Sequence, residues 1–134
     1  MSLERYPPDD PREWLRMARG DALLAEATIP EVPLELLCFH AQQAAEKALK
    51  AVLLGAGAAF PRTHSVGLLL DLIAAQGLDA PEEVHRAVRL TVYAVETRYP
   101  LENVLVSQEE LTTALDDMRA VLSWAENRLA APEE

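Results

Sequence analysis

The sequence has one cysteine, two lysines and no long apolar run, and each scarcity narrows what the protein can be. A lone Cys38 excludes an internal disulfide and a cysteine-cluster metal site. Half of the residues are hydrophobic, yet no stretch reaches the roughly 20 apolar residues that a membrane helix needs. Residues 1–11 are polar and carry no apolar signal segment. We therefore expect a soluble, cytoplasmic protein with no membrane span.

The charge is strongly acidic and unevenly distributed. The chain has 22 acidic and 12 basic residues, a net charge of −10. Residues 1–65 carry nine acidic and seven basic side chains, whereas residues 66–134 carry thirteen and five. Broad binding to a nucleic-acid backbone requires an excess of Lys and Arg, so broad DNA binding is excluded. Any contact with a nucleotide or RNA must use a local patch in the first half.

The apolar spacing is helical throughout, without repeats, hairpin signals or a linker. We expect a single domain over residues 1–134, with its core at about 10–129 and both termini frayed. Caps, prolines and glycines predict five helices. Their expected ranges are 10–29, 33–54, 63–77, 80–99 and 107–129. Because the loops are short, the predicted fold is an all-α, up-and-down bundle.

Two helix starts have clear capping signals. Asp10 precedes Pro11 and Glu13, and Ser107 precedes Glu110 by the three residues of a capping box. Three- and four-residue spacing also predicts the buried face of each helix. The expected core residues of helices one, three, four and five are Trp14, Met17, Ala18, Leu24 and Ala25; Val66, Leu69, Leu70 and Ile73; Val84, Ala87, Val88, Thr91 and Val95; and Leu111, Ala114, Leu115, Met118, Val121, Leu122, Ala125 and Leu129.

The second helix is predicted to carry a polar row opposite its small apolar face. His40, Gln43, Lys47 and Lys50 recur every three or four residues, so they align along the helix. The row contains both lysines of the protein, and Glu46 lies four residues before Lys50. One interpretation is a solvated outer face. The other is a row that lines a groove for a nucleotide or RNA, or that faces a dimer mate.

Three segments resemble the HEPN family (higher eukaryotes and prokaryotes nucleotide-binding) in their order and approximate spacing. They are Gln42-Gln43-Ala44-Ala45-Glu46-Lys47-Ala48-Leu49-Lys50-Ala51, Thr63-His64 and Arg98-Tyr99-Pro100. The resemblance covers nearly the whole chain. It implies a helical bundle whose second and fourth helices are central, and a homodimer that binds a nucleotide or RNA. It also implies a minimal nucleotidyltransferase as partner protein, in a toxin-antitoxin-like pair.

Ribonuclease members of this family carry an arginine, four to six further residues, and then a histidine. Here Arg98 is followed by no histidine as far as Leu105. The chain therefore resembles the branch without this motif, and we expect a binding module rather than an enzyme, with no cofactor beyond a nucleotide ligand. One alternative is a metal-independent ribonuclease or toxin that uses Arg98 with His40 or His64 as proton carrier. Another is a structural helical adaptor without a ligand.

The candidate ligand-binding residues are His40, Gln43, Lys47, Lys50, His64, Arg98 and Tyr99. His64 is interpreted either as a cap or loop anchor, or as joining Lys47 and Arg98 around a phosphate pocket. Arg98 is either an exposed cation in the last helical turn or an inward arginine paired with Asp21, which continues the apolar face of the first helix. The histidines lack metal-ligand spacing, so no metal site is expected.

Overall fold

All regular structure in the computed structural model, which describes residues 5–94 and 106–130, is helical. The elements are α1 (Pro11–Ala25), α2 (Leu34–Gly55), α3 (Val66–Ala75), α4 (Glu82–His85), a 3₁₀ helix (Arg86–Tyr93) and α5 (Gln108–Ala130). No strand occurs in these ranges, and the predicted all-α class is confirmed. None of the helices described is both long and apolar enough to cross a membrane.

Side-chain caps begin three of the helices. Asp10 accepts a hydrogen bond from the Arg12 amide at 2.8 Å, and Ser65 accepts one from the Leu68 amide at 3.1 Å. At α5 the predicted capping box forms, because Ser107 accepts from the Glu110 amide at 3.1 Å and Glu110 accepts from the Ser107 amide at 3.5 Å. Gly57 and Gly77, just past the ends of α2 and α3, both have a φ of 78°. Glycine adopts this conformation without the penalty that a Cβ would add.

Helix α2 is the centre of the bundle. Thirteen of its 22 residues are buried, and both α1 and α5 pack extensively against it. Its buried alanines allow neighbouring helices to approach closely. They are Ala41, Ala44, Ala45, Ala48 and Ala51. Because α2 is enclosed, its buried polar residues need partners inside the protein.

The predicted buried face of α1 was partly wrong. Met17 is 43% exposed and Leu24 is 53% exposed, whereas Leu15 and Ala22 take places in the core. Helix α1 has apolar residues on two sides, so spacing alone could not decide which side packs. The buried side has the small residues (Ala18, Ala22 and Ala25) that permit close contact with α2.

The predicted fourth helix was also wrong in kind. Up to Ala94, where the described stretch ends, one α-helical turn (Glu82–His85) forms and the chain continues as a 3₁₀ helix (Arg86–Tyr93). Val84, Ala87 and Leu90 are buried at intervals of three, which is the period of a 3₁₀ helix. Consequently Val88, predicted to be buried, is 45% exposed, and Thr91 instead accepts a hydrogen bond from the Val66 amide at 3.2 Å. Val95 and the predicted end near 99 lie outside the described residues.

Candidate functional site

Asp21 joins α1 to α2 through two side chains of α2, His40 and Lys47. Its Oδ2 accepts a hydrogen bond from Lys47 Nζ at 2.6 Å, and its Oδ1 lies 3.0 Å from His40 Nδ1. His40 and Lys47 are two helical turns apart on α2, so they bracket the aspartate from either side. The carboxyl side chain is only 10% exposed, and it therefore depends on these partners for compensation of its charge.

Glu46 forms a second cluster on the adjacent side of α2. Its Oε2 accepts from Lys50 Nζ at 2.9 Å, and its Oε1 lies 2.8 Å from His64 Nδ1 and accepts from Gln42 Nε2 at 3.0 Å. Gln42 Nε2 also lies 3.1 Å from the His64 carbonyl oxygen, and Gln43 donates to Gln42 Oε1 at 2.7 Å. The amide of Gln42 thus anchors the loop before α3 to the middle of α2.

The environment keeps Glu46 ionised. Burial acts to raise the pKa of its carboxyl group, but hydrogen bonds from Lys50, Gln42 and His64 outweigh this, and the pKa lies below the ordinary value of 4.5. The ammonium group of Lys50 is also 5.5 Å from the Trp14 ring centroid and 5.2 Å from that of Phe60. Aromatic faces attract a cation at such distances, so they add to the compensation of the buried lysine.

Exposure differs sharply among the four lysine and histidine side chains of the two clusters. Lys50 is 8% exposed and Lys47 19%, whereas His40 is 28% and His64 66% exposed. In both histidines Nδ1 faces the carboxylate. If Nδ1 carries the shared proton, Nε2 becomes the ring nitrogen that accepts a proton or hydrogen bond from another molecule. His64 is the member of the clusters that solvent and ligands reach most easily.

The structure therefore divides the predicted polar row between two clusters. His40 and Lys47 belong with Asp21, Lys50 belongs with Glu46, and Gln43 reaches Glu46 only through Gln42. A solvated outer face is wrong for Lys50, which is buried. Sequence reasoning missed Gln42 and Glu46 as site members. Their signal was the spacing of Gln42, Glu46 and Lys50 by four residues among small apolar neighbours.

Ser65, not His64, caps α3, and His64 anchors the preceding loop to α2. Arg98 and Tyr99 lie outside the described residues, so the Asp21–Arg98 pair and the pocket of Lys47, His64 and Arg98 stay predictions. Across residues 5–94 and 106–130, no group of three or more His, Cys, Asp or Glu side chains is arranged to hold a metal ion.

The fold and this site define a small all-helical domain built around a central helix with buried ion pairs. A family model described as "HEPN domain" matches residues 11–128, and the chain belongs to the HEPN family. The crystal structure of TT1696 from Thermus thermophilus is similar, with 33% sequence identity and a TM-score of 0.74 over 89% of this chain and 98% of that one. A search of curated proteins gave no match. The family resemblance drawn from the sequence is confirmed, and it places the protein among helical modules of the nucleotide-binding or ribonuclease type.

Proposed function

We propose that this protein is a non-catalytic HEPN binding module that holds a nucleotide or RNA at the α1–α2 face. One observation carries the proposal. Both lysines of the chain and two of its three histidines contact two buried carboxylates, Asp21 of α1 and Glu46 of α2. Such groups are held in position before a ligand arrives, so little conformational entropy is lost on binding.

The charge balance favours selective recognition over general attraction for polyanions. Asp21 and Glu46 offset the charges of Lys47 and Lys50, and the whole chain carries −10. A ligand must therefore be recognised by directed hydrogen bonds. An ammonium group has three donors, and Lys47 uses one of them on Asp21. It can thus donate to a phosphate oxygen without releasing the aspartate.

The absence of catalysis is inferred from the sequence around the family's arginine. The seven residues after Arg98 contain no histidine, so the arginine and histidine pair of the ribonuclease members is incomplete. By extension from the family, we propose that the module acts as a homodimer. A nucleotidyltransferase-type protein, as in a toxin-antitoxin-like pair, is the partner we propose for it.

One observation favours ribonuclease activity as a second candidate. His64 is exposed and its Nδ1 lies 2.8 Å from a carboxylate that remains ionised. A carboxylate in this position orients an imidazole and stabilises its protonated form during proton transfer. With Arg98 stabilising charge on the phosphate, His64 would act as proton carrier at the ribose 2′-hydroxyl.

The test compares the wild type with Lys47→Met and a matched control, Arg86→Met. The Arg86 side chain is exposed and makes no hydrogen bond or ion pair with the other described residues, so Arg86→Met removes one positive charge at a position away from α2. Binding of AMP and of a short RNA is measured by calorimetry, RNA cleavage by gel assay, and mass by light scattering. We expect a dimer without cleavage whose binding is lost in Lys47→Met and kept in Arg86→Met.

Three results would contradict the proposal in different ways. Cleavage that disappears in His64→Ala would establish the ribonuclease instead. If Lys47→Met and Arg86→Met bind with equal affinity, the ligand binds at a surface other than α2. A folded protein that binds neither AMP nor RNA would leave only the structural adaptor.

A further inference from the structure

A cavity of about 360 Å³ is lined by Lys47 of α2, by residues of α1 and by the segment that precedes α1. Its volume falls within the range of small-molecule sites, about 300–1,000 Å³. The wall consists of aromatic, thioether and charged side chains, chiefly Arg5, Tyr6, Glu13, Trp14, Met17 and Lys47. Met17, which also lines the cavity, is 43% exposed and does not belong to the core.

Tyr6 and Trp14, the aromatic part of the wall, are held in place by contacts with neighbouring residues. The Trp14 indole N–H donates to the Pro8 carbonyl at 2.8 Å, and its ring meets Phe60 edge-on with centroids 5.2 Å apart. The Arg12 guanidinium lies 4.3 Å from the centroid of the Tyr6 ring. With its polar N–H already used, Trp14 offers the cavity a fixed apolar surface. Planar aromatic groups bind well to such surfaces.

The charged part of the wall is arranged to receive an anion. Glu13 accepts from the Tyr6 amide at 3.0 Å and from Arg16 at 3.0 and 2.7 Å. These bonds, first the one from Arg16, lower the pKa of Glu13 to about 2, so its charge is present and matched. Among the residues that line the cavity, Arg5 and Lys47 against Glu13 give a charge of +1, within a chain of −10.

We propose that this cavity binds a mononucleotide, with its aromatic base against Tyr6 and Trp14 and its phosphate between Arg5 and Lys47. This inference rests on the proposed function and specifies the ligand and its orientation. It links the cavity to the Asp21 cluster, because Lys47 belongs to both. A base has a π-face whatever its identity, so the aromatic wall gives affinity rather than sequence preference.

The test uses the intrinsic fluorescence of Trp14. The chain has two tryptophans, so Trp124→Phe leaves Trp14 as the only reporter. We expect AMP to quench it in a saturable way, whereas ribose 5-phosphate, which lacks the base, binds more weakly and does not quench. In the same background Tyr6→Leu should weaken AMP binding about tenfold or more. Tyr6→Phe keeps the ring and should bind like its parent.

The outcomes separate this inference from the proposed function. AMP binding that needs Lys47 but leaves Trp14 fluorescence and the Tyr6→Leu affinity unchanged would overturn the cavity assignment alone. The same holds if RNA binds through Lys47 while AMP does not bind. If the folded wild type binds neither AMP nor RNA, both the cavity assignment and the proposed function are overturned. Circular dichroism checks that each variant is folded.

Discussion

Lys50 Nζ lies 2.9 Å from Oε2 of Glu46, one turn earlier on α2, and both side chains are almost fully buried. Taking two charges out of water costs free energy, which their attraction and further hydrogen bonds must offset. Here the carboxylate has two more partners, Gln42 and His64, and the ammonium faces two aromatic rings. The pair thus connects the core of α2 to the loop before α3.

Removing one partner of this ion pair should lower the stability of the fold. We expect Lys50→Met to lower the free energy of unfolding by about 3 kcal/mol, the low end for a buried pair, because Glu46 keeps two other partners. Glu46→Gln combined with Lys50→Met should lose less than the sum of the single changes. Urea denaturation of the wild type, the two single variants and the double variant measures this coupling.

Arg12→Met, which breaks an ion pair at a 68% exposed arginine, is the control and should change the free energy of unfolding little. Strictly additive losses would show that the two residues act independently.

Acid should destabilise the protein partly through Glu46. Its folded pKa is below the unfolded value of about 4.5, so the unfolded chain binds more protons as the pH falls. The contribution of Glu46 is therefore complete above pH 4.5 and is lost as the pH falls through the folded pKa. Melting temperatures between pH 7 and 2 should fall less steeply in Glu46→Gln than in the wild type. Glu109→Gln, an exposed carboxyl at the start of α5, should keep the wild-type slope; equal slopes for all three would contradict the assignment.

A third buried carboxylate connects the 3₁₀ helix to α5. Asp117 is 5% exposed and accepts two hydrogen bonds from Arg89, at 2.6 and 2.9 Å. Arg89→Met would leave this carboxylate without its bidentate partner. Because Arg89 itself is 55% exposed and water can enter, we expect a loss of only about 1 kcal/mol. Urea denaturation compares it with Arg86→Met, which should be neutral. Equal stability of both variants would mean that Asp117 is compensated in another way.

Two glycines should respond oppositely to alanine. A Cβ at Gly20 in α1 would meet nothing within 4 Å, and alanine favours helix by about 1 kcal/mol over glycine. Gly20→Ala should therefore raise the melting temperature. Gly57 has a φ of 78°, where a Cβ costs about 1–2 kcal/mol, so Gly57→Ala should lower it. Thermal melts read by circular dichroism check both. A stabilising Gly57→Ala would contradict the left-handed turn after α2.

The single thiol should report opening of the core. Cys38 is fully buried, and burial, aided by the charges of Glu110 and Glu35, raises the pKa of its thiol to about 11. A thiol in this state is a poor nucleophile. We expect labelling by a disulfide reagent to be slow in the native protein and fast in urea. Fast labelling of the native protein would show that α2 separates readily from its neighbours.

Local chemistry in the sequence was enough to place most helix boundaries. Asp10, the Ser107–Glu110 box and the glycines after α2 and α3 act within one or two turns of the chain. Their effects do not depend on what packs nearby. The family resemblance could also be recognised from the sequence, because it depends on residue types and their order along the chain.

Tertiary packing decided what local patterns left open. Helix α1 has two apolar sides, and contact with α2 selected the one with small residues. Residues 86–93 have apolar spacings of both three and four, and packing against α2, α3 and α5 selected the period of three. The partners within the site were decided in the same way. Asp21 meets His40 and Lys47, and Glu46 meets His64, only because the helices and loop carrying them lie at particular rotations. Residue spacing within one helix determines its faces, but contacts between elements depend on how those faces are oriented in three dimensions.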